Sequence, residues 1–345
     1  MSQENIPAND ITELCDPYGD VVLAVGEGTG EKVRKFLVFS RVLSLASPVF
    51  AKLFSHNFSE GIEIMKGTCP EVPLPEDDPE VMGTIFHMLH YQEPKEVAPK
   101  EPEFIAKFIV HANKYDCVGA LRAWITNWLC DHRLEVSPSR IAIDYGHLLL
   151  SAYLFGDAHI FLTISARAQN LMAPGNFNEW EQSSMLQPGL FPQQIGFRLE
   201  EKIEATLDKI FDMLHDVEGR LTRQIGGYTM ESKWCVLCES IQNSANQKCT
   251  CRQERFVRRY CTSGHRVLTY MAVLKKADLR PSKPSQLRAY SATELSGKID
   301  SMASSLTHNC QAGSNCPLKL EMAKCSLACK NILLGDKGML LSDFR

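Results

Sequence analysis

The sequence predicts an α+β fold in residues 16–131, in which helices cover a small β-sheet, followed by a mainly α-helical, cysteine-rich region. Two short runs of β-branched and apolar residues open the first part, and segments with apolar residues at every third or fourth position follow them. Nine of the thirteen cysteines lie after Trp234. Because 345 residues are enough for several domains, we expect the two parts to fold around separate cores.

The predicted sheet has three strands. Residues 19–25 and 33–39 are short, β-branched and apolar, which is typical of two paired strands. A third strand is predicted at Val72, Pro73 and Leu74. It is an edge strand, because proline has no backbone N–H to donate to a neighbouring strand. Residues 1–15, which precede the first strand, are expected to be disordered.

Five helices are predicted to cover this sheet. Ser40, Ser47-Pro48 and Asp78-Pro79 mark three helix starts, since serine and aspartate side chains accept hydrogen bonds from the first N–H groups and proline fits the first turn. Residues 104–115 and 121–129 repeat apolar side chains at helical spacing and give two more helices. The five helices and the sheet would close one core.

The rest of the chain is divided by composition. We expect residues 132–172 to form a helical extension packed on the first domain, since Ser137-Pro138 resembles a capped helix start and apolar residues follow it. Residues 173–196 are rich in Pro, Gly, Gln and Asn and predict a loop or linker. Residues 197–345 would be the helical, cysteine-rich C-terminal domain.

A heptad-like apolar stripe opens the C-terminal domain. Two interpretations are open: a coiled coil with a second copy of the chain, or a helix packed on its own domain, which a stripe of fewer than three heptads favours. The stripe consists of Ile203, Leu207, Ile210, Leu214, Val217 and Leu221.

The first 131 residues resemble the BTB/POZ family, particularly its fungal branch. Four segments carry the resemblance in the family's order: Gly19-Asp20-Val21, FLVFSRVLSLASPVFAKLF (residues 36–54), NFSEG (57–61) and ANKYDCVGALRAWITNWL (112–129). Many members have a histidine and then a basic residue before the Val-Leu pair, where this chain has Phe39-Ser40. Asp20, Phe39 and Arg41 are therefore the signature positions to compare, with Arg41 a candidate partner for the Asp20 carboxylate.

The resemblance implies an interaction module that does no chemistry itself. Members of the family form dimers or hold partner proteins, commonly as substrate adaptors of a cullin-three ubiquitin ligase. Their cullin-contacting motif is an apolar residue, any residue and then an acid. Phe58 and Glu60 match it in this chain, with Ser59 between them. A homodimer and a cullin-three complex are thus the expected assemblies.

The C-terminal cysteines predict a structural zinc. Zinc prefers four thiolate or imidazole ligands in a tetrahedron, and Cys235 and Cys238 have the spacing at which one turn supplies two of them. The other two would come from Cys249, Cys251, Cys261, His265, His308, Cys310 and Cys316. The alternative is that the cysteines are ordinary thiols in a helical core, which the four-residue spacing of Cys325 and Cys329 favours.

The functional prediction is a non-enzymatic protein-interaction adaptor, with no cofactor besides the possible zinc. The alternative is a nuclear transcription or chromatin regulator with a basic, zinc-binding C-terminal region, because the segment from Cys249 to Tyr290 has ten Lys and Arg residues against only Glu254 and Asp278. No DNA-reading helix beside a metal site is evident, so nucleic acid is not an expected partner. We expect a cytoplasmic or nuclear protein without a secretion signal or a membrane span.

Overall fold

The chain divides into two compact units, which are described separately. The first comprises Met1–Ile164, Glu179–Gln193 and Leu340–Arg345, and the second Ser165–Asn178 and Gln194–Met339. The structure is a computed structural model. It describes residues 12–26, 32–92, 101–131, 140–175, 177–223, 231–238, 241–242, 249–251, 253, 256–279, 284–306, 308, 316–335 and 337–345.

A four-stranded mixed sheet lies in the first unit. Its strands are β1 (Thr12–Leu14), β2 (Val21–Val25), β3 (Arg34–Val38) and β4 (Glu71–Leu74), in the order β1-β3-β2-β4. β2 is antiparallel to β3 and parallel to β4, and β1 is parallel to β3. The three predicted strands are present. The disorder expected for residues 1–15 is wrong at residues 12–15, because β1 is held by a strand more than twenty residues away, a pairing that local patterning does not show.

Helices pack against this sheet, and two of their predicted caps are confirmed. The Ser47 hydroxyl accepts a hydrogen bond from Phe50 N–H at 3.1 Å, and the Asp78 carboxylate accepts from Glu80 N–H and Val81 N–H at 3.0 and 3.1 Å. The helices from Ser40 to Gln182 are α1 (Ser40–Ala46), α2 (Pro48–Leu53), α3 (Ser59–Met65), α4 (Pro79–Leu89), α5 (Pro102–Lys114), α6 (Val118–Cys130), α7 (Ile141–Phe155), α8 (Ala158–Leu171) and α9 (Asn178–Gln182), of which α8 continues past Ile164 into the second unit.

Aromatic side chains fill the core between sheet and helices. The Phe86 ring lies 5.5 Å from that of Phe36 and 6.2 Å from that of Phe50, and Phe50 stacks on Tyr115 at 4.6 Å between ring centroids. The Tyr115 hydroxyl donates to the buried carboxylate of Asp77, which also receives the Lys114 ammonium at 2.7 Å. This core therefore joins β3, α2, α4 and α5.

The helical extension up to Ile164 and part of the predicted linker, Glu179–Gln193, belong to the first unit. α7 packs along α5, and its start is fixed by Trp180, whose indole N–H donates to the Ala142 carbonyl at 2.8 Å. The Trp180 ring also lies 5.6 Å from that of Phe191. Residues 173–196 thus contain α9 and a 3-10 turn, Ser184–Leu186, rather than loop alone. Ser137-Pro138 lies outside the described residues.

The second unit combines helices with a small sheet. Its strands form an antiparallel sheet in the order β6-β5-β7, which the sequence analysis did not predict. The elements are α10 (Gln193–Arg223), β5 (Glu231–Cys235), β6 (Ile241–Gln242), β7 (Phe256–Tyr260), α11 (Ser263–Lys276), α12 (Ala292–Ser304) and α13 (Pro317–Gly335).

The apolar stripe of α10 is buried within its own unit. All six of its side chains are covered, and the Tyr270 hydroxyl of α11 donates to the Leu214 carbonyl at 2.7 Å. The stripe therefore packs on its own domain rather than on a second copy of the chain. Among the described helices, none combines the length and the hydropathy needed to cross a bilayer.

Candidate partner-binding surface and metal centre

The predicted partner motif lies at the start of α3, on the surface. Phe58 is the residue before the first helical turn and is 40% exposed, so it does not fill the core. Ile62 and Met65, at 41% and 76% exposure, follow at spacings of four and three residues, which places all three on one helix face. We call Phe58, Ile62 and Met65 the α3 apolar stripe. The sequence analysis missed its last two members, although their spacing was visible.

The backbone around the α3 apolar stripe is tightly seated. A side chain at Gly61 would place its Cβ 2.0 Å from the Ser55 carbonyl oxygen, so only glycine allows α3 to approach the end of α2 this closely. The Ser59 hydroxyl donates to the Glu60 carboxylate at 2.9 Å. Glu60 thus stands beside Phe58 on a fixed turn, with its carboxylate within reach of solvent.

The signature positions surround the start of α1. The Asp20 carboxylate accepts hydrogen bonds from the Ser40 N–H and the Ser40 hydroxyl, both at 2.7 Å. Asp20 therefore caps α1, where we had expected the Ser40 side chain to do so. Arg41, the partner considered for Asp20, is exposed, and its neighbour Ser40 supplies the donors instead.

Phe39 is tied to α4 through its backbone. Its N–H donates to His90 Nε2 at 3.1 Å, and His90 Nδ1 lies 2.7 Å from the Phe86 carbonyl oxygen. This pattern requires a neutral imidazole with the proton on Nδ1. Burial lowers the pKa of His90, which favours the same neutral form.

Four cysteines meet at one end of the small sheet of the second unit. Cys235 is the last residue of β5, Cys238 lies in the turn that follows, and Cys249 and Cys251 precede β7, which pairs antiparallel with β5. The Sγ atoms of Cys235 and Cys251 are 3.4 Å apart, and Cys249 Sγ lies 3.1 Å from both Cys238 Sγ and Cys251 Sγ. We call these four residues the four-cysteine cluster.

These distances fit metal ligands and do not fit disulfides. A disulfide requires about 2.05 Å between sulfurs, whereas four thiolates about 2.3 Å from one zinc are separated by about 3.8 Å. All four Sγ atoms of the four-cysteine cluster lie within 4.8 Å of one another. A shift of a few tenths of an ångström would therefore place them around one ion, and the cluster can hold a metal.

Backbone groups favour thiolate at the turn. Burial raises the pKa of Cys235, but hydrogen bonds from the Cys249 side chain and from the N–H groups of Leu237 and Cys238 outweigh it and lower that pKa. Hydrogen bonding with Cys249 instead raises the pKa of Cys251 to about 12. N–H donors aimed at sulfur are the groups that orient a metal-bound thiolate.

The other predicted ligands fall into a separate group. Cys261, His308 and Cys316 also place their ligand atoms within 4.8 Å of one another, and His265 lies beside them. Cys310 lies outside the described residues. The sequence analysis pooled all of these residues for one ion, and the structure divides them in two. Only the fold determines this division, because the spacing along the chain is irregular.

Cys325 and Cys329 behave as ordinary core thiols. They are one turn apart on α13, and both are fully buried. Burial raises the pKa of Cys325 to about 12, so its thiol stays protonated and unreactive at neutral pH.

Comparison with known families identifies the first domain. Residues 12–127 match the BTB/POZ domain, over the segment that holds the mixed sheet and α1 to α6. The N-terminal domain is thus a BTB/POZ domain, a module that typically serves protein interaction rather than catalysis. Comparison with curated proteins found no match for the chain.

Proposed function

We propose that this protein is a substrate adaptor that joins a cullin-three ubiquitin ligase to a partner protein. The observation that carries the proposal is Phe58-Ser59-Glu60, an exposed apolar residue and a half-buried acid at the start of α3. An exposed aromatic side chain on a rigid helix start is the type of residue that contributes most to protein interfaces. A BTB/POZ domain supplies the interaction framework.

The α3 apolar stripe gives the proposed contact its shape. Phe58, Ile62 and Met65 present apolar surface along two turns of helix, and Glu60 stands at one side of it. A partner helix with apolar side chains and a basic or hydrogen-bond-donating residue would bury the stripe and pair with the carboxylate. This division into an apolar centre and a polar rim is typical of specific interfaces.

The C-terminal region would then hold the substrate. We assign its four-cysteine cluster to a structural zinc, because four sulfurs at metal-ligand separation favour zinc among the common ions. The zinc would fix the small sheet in which β5 pairs with β7, and the adaptor would act in the cytoplasm or the nucleus, where cullin ligases work.

The binding test uses single variants of the full chain. Titration calorimetry with the N-terminal region of a cullin-three protein should show binding by the wild type. Phe58→Ala and Glu60→Ala should each weaken it by about 1 to 2 kcal/mol, roughly a tenfold change in Kd. Tyr18→Ala is the matched control, because it removes an 85% exposed aromatic ring elsewhere in the same domain.

Two results would end the cullin proposal: no binding by the wild type, or equal binding by the wild type and both variants. Loss of affinity in Tyr18→Ala would show that any aromatic truncation weakens the complex, which also argues against the assigned motif. Salt-dependent binding of the wild type to duplex DNA, without cullin binding, would favour the regulator in its place.

A further inference from the structure

A second group of metal-binding side chains lies where three chain segments meet in the second unit. Cys261 stands between β7 and α11, His308 follows α12, and Cys316 directly precedes α13. All three residues are buried, with at most 4% of their surface exposed. They come from positions 47 and 55 residues apart, so only the fold brings them together.

The separations suit a single tetrahedral ion. Cys261 Sγ lies 3.3 Å from His308 Nε2 and 4.0 Å from Cys316 Sγ. Ligands about 2.0 to 2.3 Å from zinc are separated by about 3.3 to 3.8 Å in a tetrahedron. The two sulfurs are also about twice as far apart as a disulfide requires.

His265 is the candidate fourth ligand, although its ring nitrogens are not among the ligand atoms that lie within 4.8 Å of one another. It lies four residues after Cys261, in the first turn of α11, and that turn is fixed by Thr262, whose hydroxyl accepts the His265 N–H at 3.2 Å. The centroid of the His265 ring is 5.2 Å from that of His308. A movement of the His265 side chain toward the other three residues would place two imidazoles and two thiolates around one point.

A buried arginine supports the thiolate form of Cys261. Arg266 Nη1 donates to the Cys261 carbonyl at 2.8 Å and lies 3.8 Å from Cys261 Sγ. Arg266 itself is buried. A guanidinium beside a sulfur stabilises its charged form and fixes its orientation, which is the role of the groups that surround metal ligands.

We propose that Cys261, His265, His308 and Cys316 form a second structural zinc site, so that each chain binds two zinc ions. The Cys261–His308 distance would also suit a nucleophile and its base. Both side chains are buried, however, and Cys316 provides a third ligand atom on the same point. A metal uses all three groups without needing a substrate to reach them.

The first test needs no variant. Full-length protein prepared without a metal-affinity tag should contain about two zinc ions per chain by elemental analysis. X-ray absorption at the zinc edge averages the two sites and should give about three sulfur and one nitrogen ligand per zinc. One zinc per chain with four sulfur ligands would overturn the proposal and leave the four-cysteine cluster as the zinc site.

Variants separate the two sites. Cys261→Ser should leave about one zinc with four sulfur ligands, and the Cys235→Ser, Cys238→Ser double variant should leave about one zinc with two sulfur and two nitrogen ligands. Retention of both ions in Cys261→Ser would overturn the proposal.

The fourth ligand is tested against Cys310, which lies two residues after His308 in the sequence. His265→Ala should lose one zinc, whereas Cys310→Ser should keep both. The reverse result would overturn the ligand set. The zinc content of these proteins is independent of cullin binding, so failure of either proposal is recognisable by itself.

Discussion

His147 gives the most direct test of the packing in the first unit. It lies on α7 with 3% of its surface exposed, and among the described residues neither ring nitrogen has a hydrogen-bond partner. A neutral imidazole carries one donor and one acceptor, and each buried polar group without a partner costs about 1 to 3 kcal/mol. His147→Leu removes both groups at similar volume. We therefore expect it to stabilise the first unit by at least the cost of one such group, about 1 to 3 kcal/mol.

The stabilisation should grow at acidic pH. Burial lowers the pKa of His147, and although Glu103 opposes this shift, Arg140 and Lys107 reinforce it. The pKa of His147 in the folded state lies below the unfolded value of about 6.5. The contribution of the neutral side chain to the free energy of unfolding is therefore fully present above about pH 6.5 and is lost as the pH falls through the folded pKa. One proton contributes at most about 1.4 kcal/mol per pH unit. The free energy of unfolding of His147→Leu should therefore fall less with decreasing pH than that of the wild type.

Urea unfolding between about pH 5.5 and 7.5, a window around the unfolded histidine pKa, measures the effect by tryptophan fluorescence. Trp124, Trp128 and Trp180, three of the four tryptophans, lie in the first unit and report mainly on it. His159→Leu is the matched control, since His159 is exposed on α8, and it should change stability by less than about 0.5 kcal/mol. A destabilised His147→Leu variant, or one with the pH profile of the wild type, would refute the reasoning.

Three further predictions concern other parts of the chain. Phe86→Ala should lower the free energy of unfolding by about 3 to 5 kcal/mol in the same assay, because Phe86 is fully buried. Leu53→Ala should lower it by less than about 2 kcal/mol, because Leu53 is only half-buried. Equal losses of stability in the two variants would contradict the packing described. Asp20→Ala should cost about 1 to 2 kcal/mol by removing the α1 cap, with Asp20→Asn costing less, and an unchanged Asp20→Ala variant would show that the cap adds nothing. A chelator should speed hydrogen exchange after Trp234 and leave residues 12–131 protected; uniform exchange would contradict metal-coupled folding.

The elements of the first domain could be predicted because their signals are local. Ser47-Pro48 and Asp78-Pro79 start helices through contacts within one turn, and strands β2 and β3 are visible as short β-branched runs. β1 was missed because three residues show no periodicity, and the strand that pairs with it, β3, lies more than twenty residues away in the sequence. The α1 cap was misassigned for the same reason, since Asp20 reaches Ser40 across twenty residues.

The sequence indicates which residues can bind a metal, but not which of them bind the same ion. Cys235 and Cys238 stand out by spacing, but nothing along the chain shows that their partners are Cys249 and Cys251 rather than Cys261 or a histidine. The pairing of β5 with β7 decides it, by bringing the two cysteine pairs to one end of the sheet. Strands β5 to β7 were themselves unpredicted, since their alternation is weak and interrupted by charged residues.

The two proposed zinc sites would stabilise the second unit to different extents. The four-cysteine cluster closes a loop of 16 residues between Cys235 and Cys251, whereas Cys261 and Cys316 close one of 55 residues. Closing a loop removes entropy from the unfolded chain in proportion to the logarithm of the loop length. The longer loop therefore adds about 1 kcal/mol more to the free energy of unfolding. The sheet that the four-cysteine cluster fixes has strands of only two to five residues. The first site thus stabilises a small sheet, while the second ties the starts of α11 and α13 to the segment after α12 and so determines how the C-terminal helices are joined.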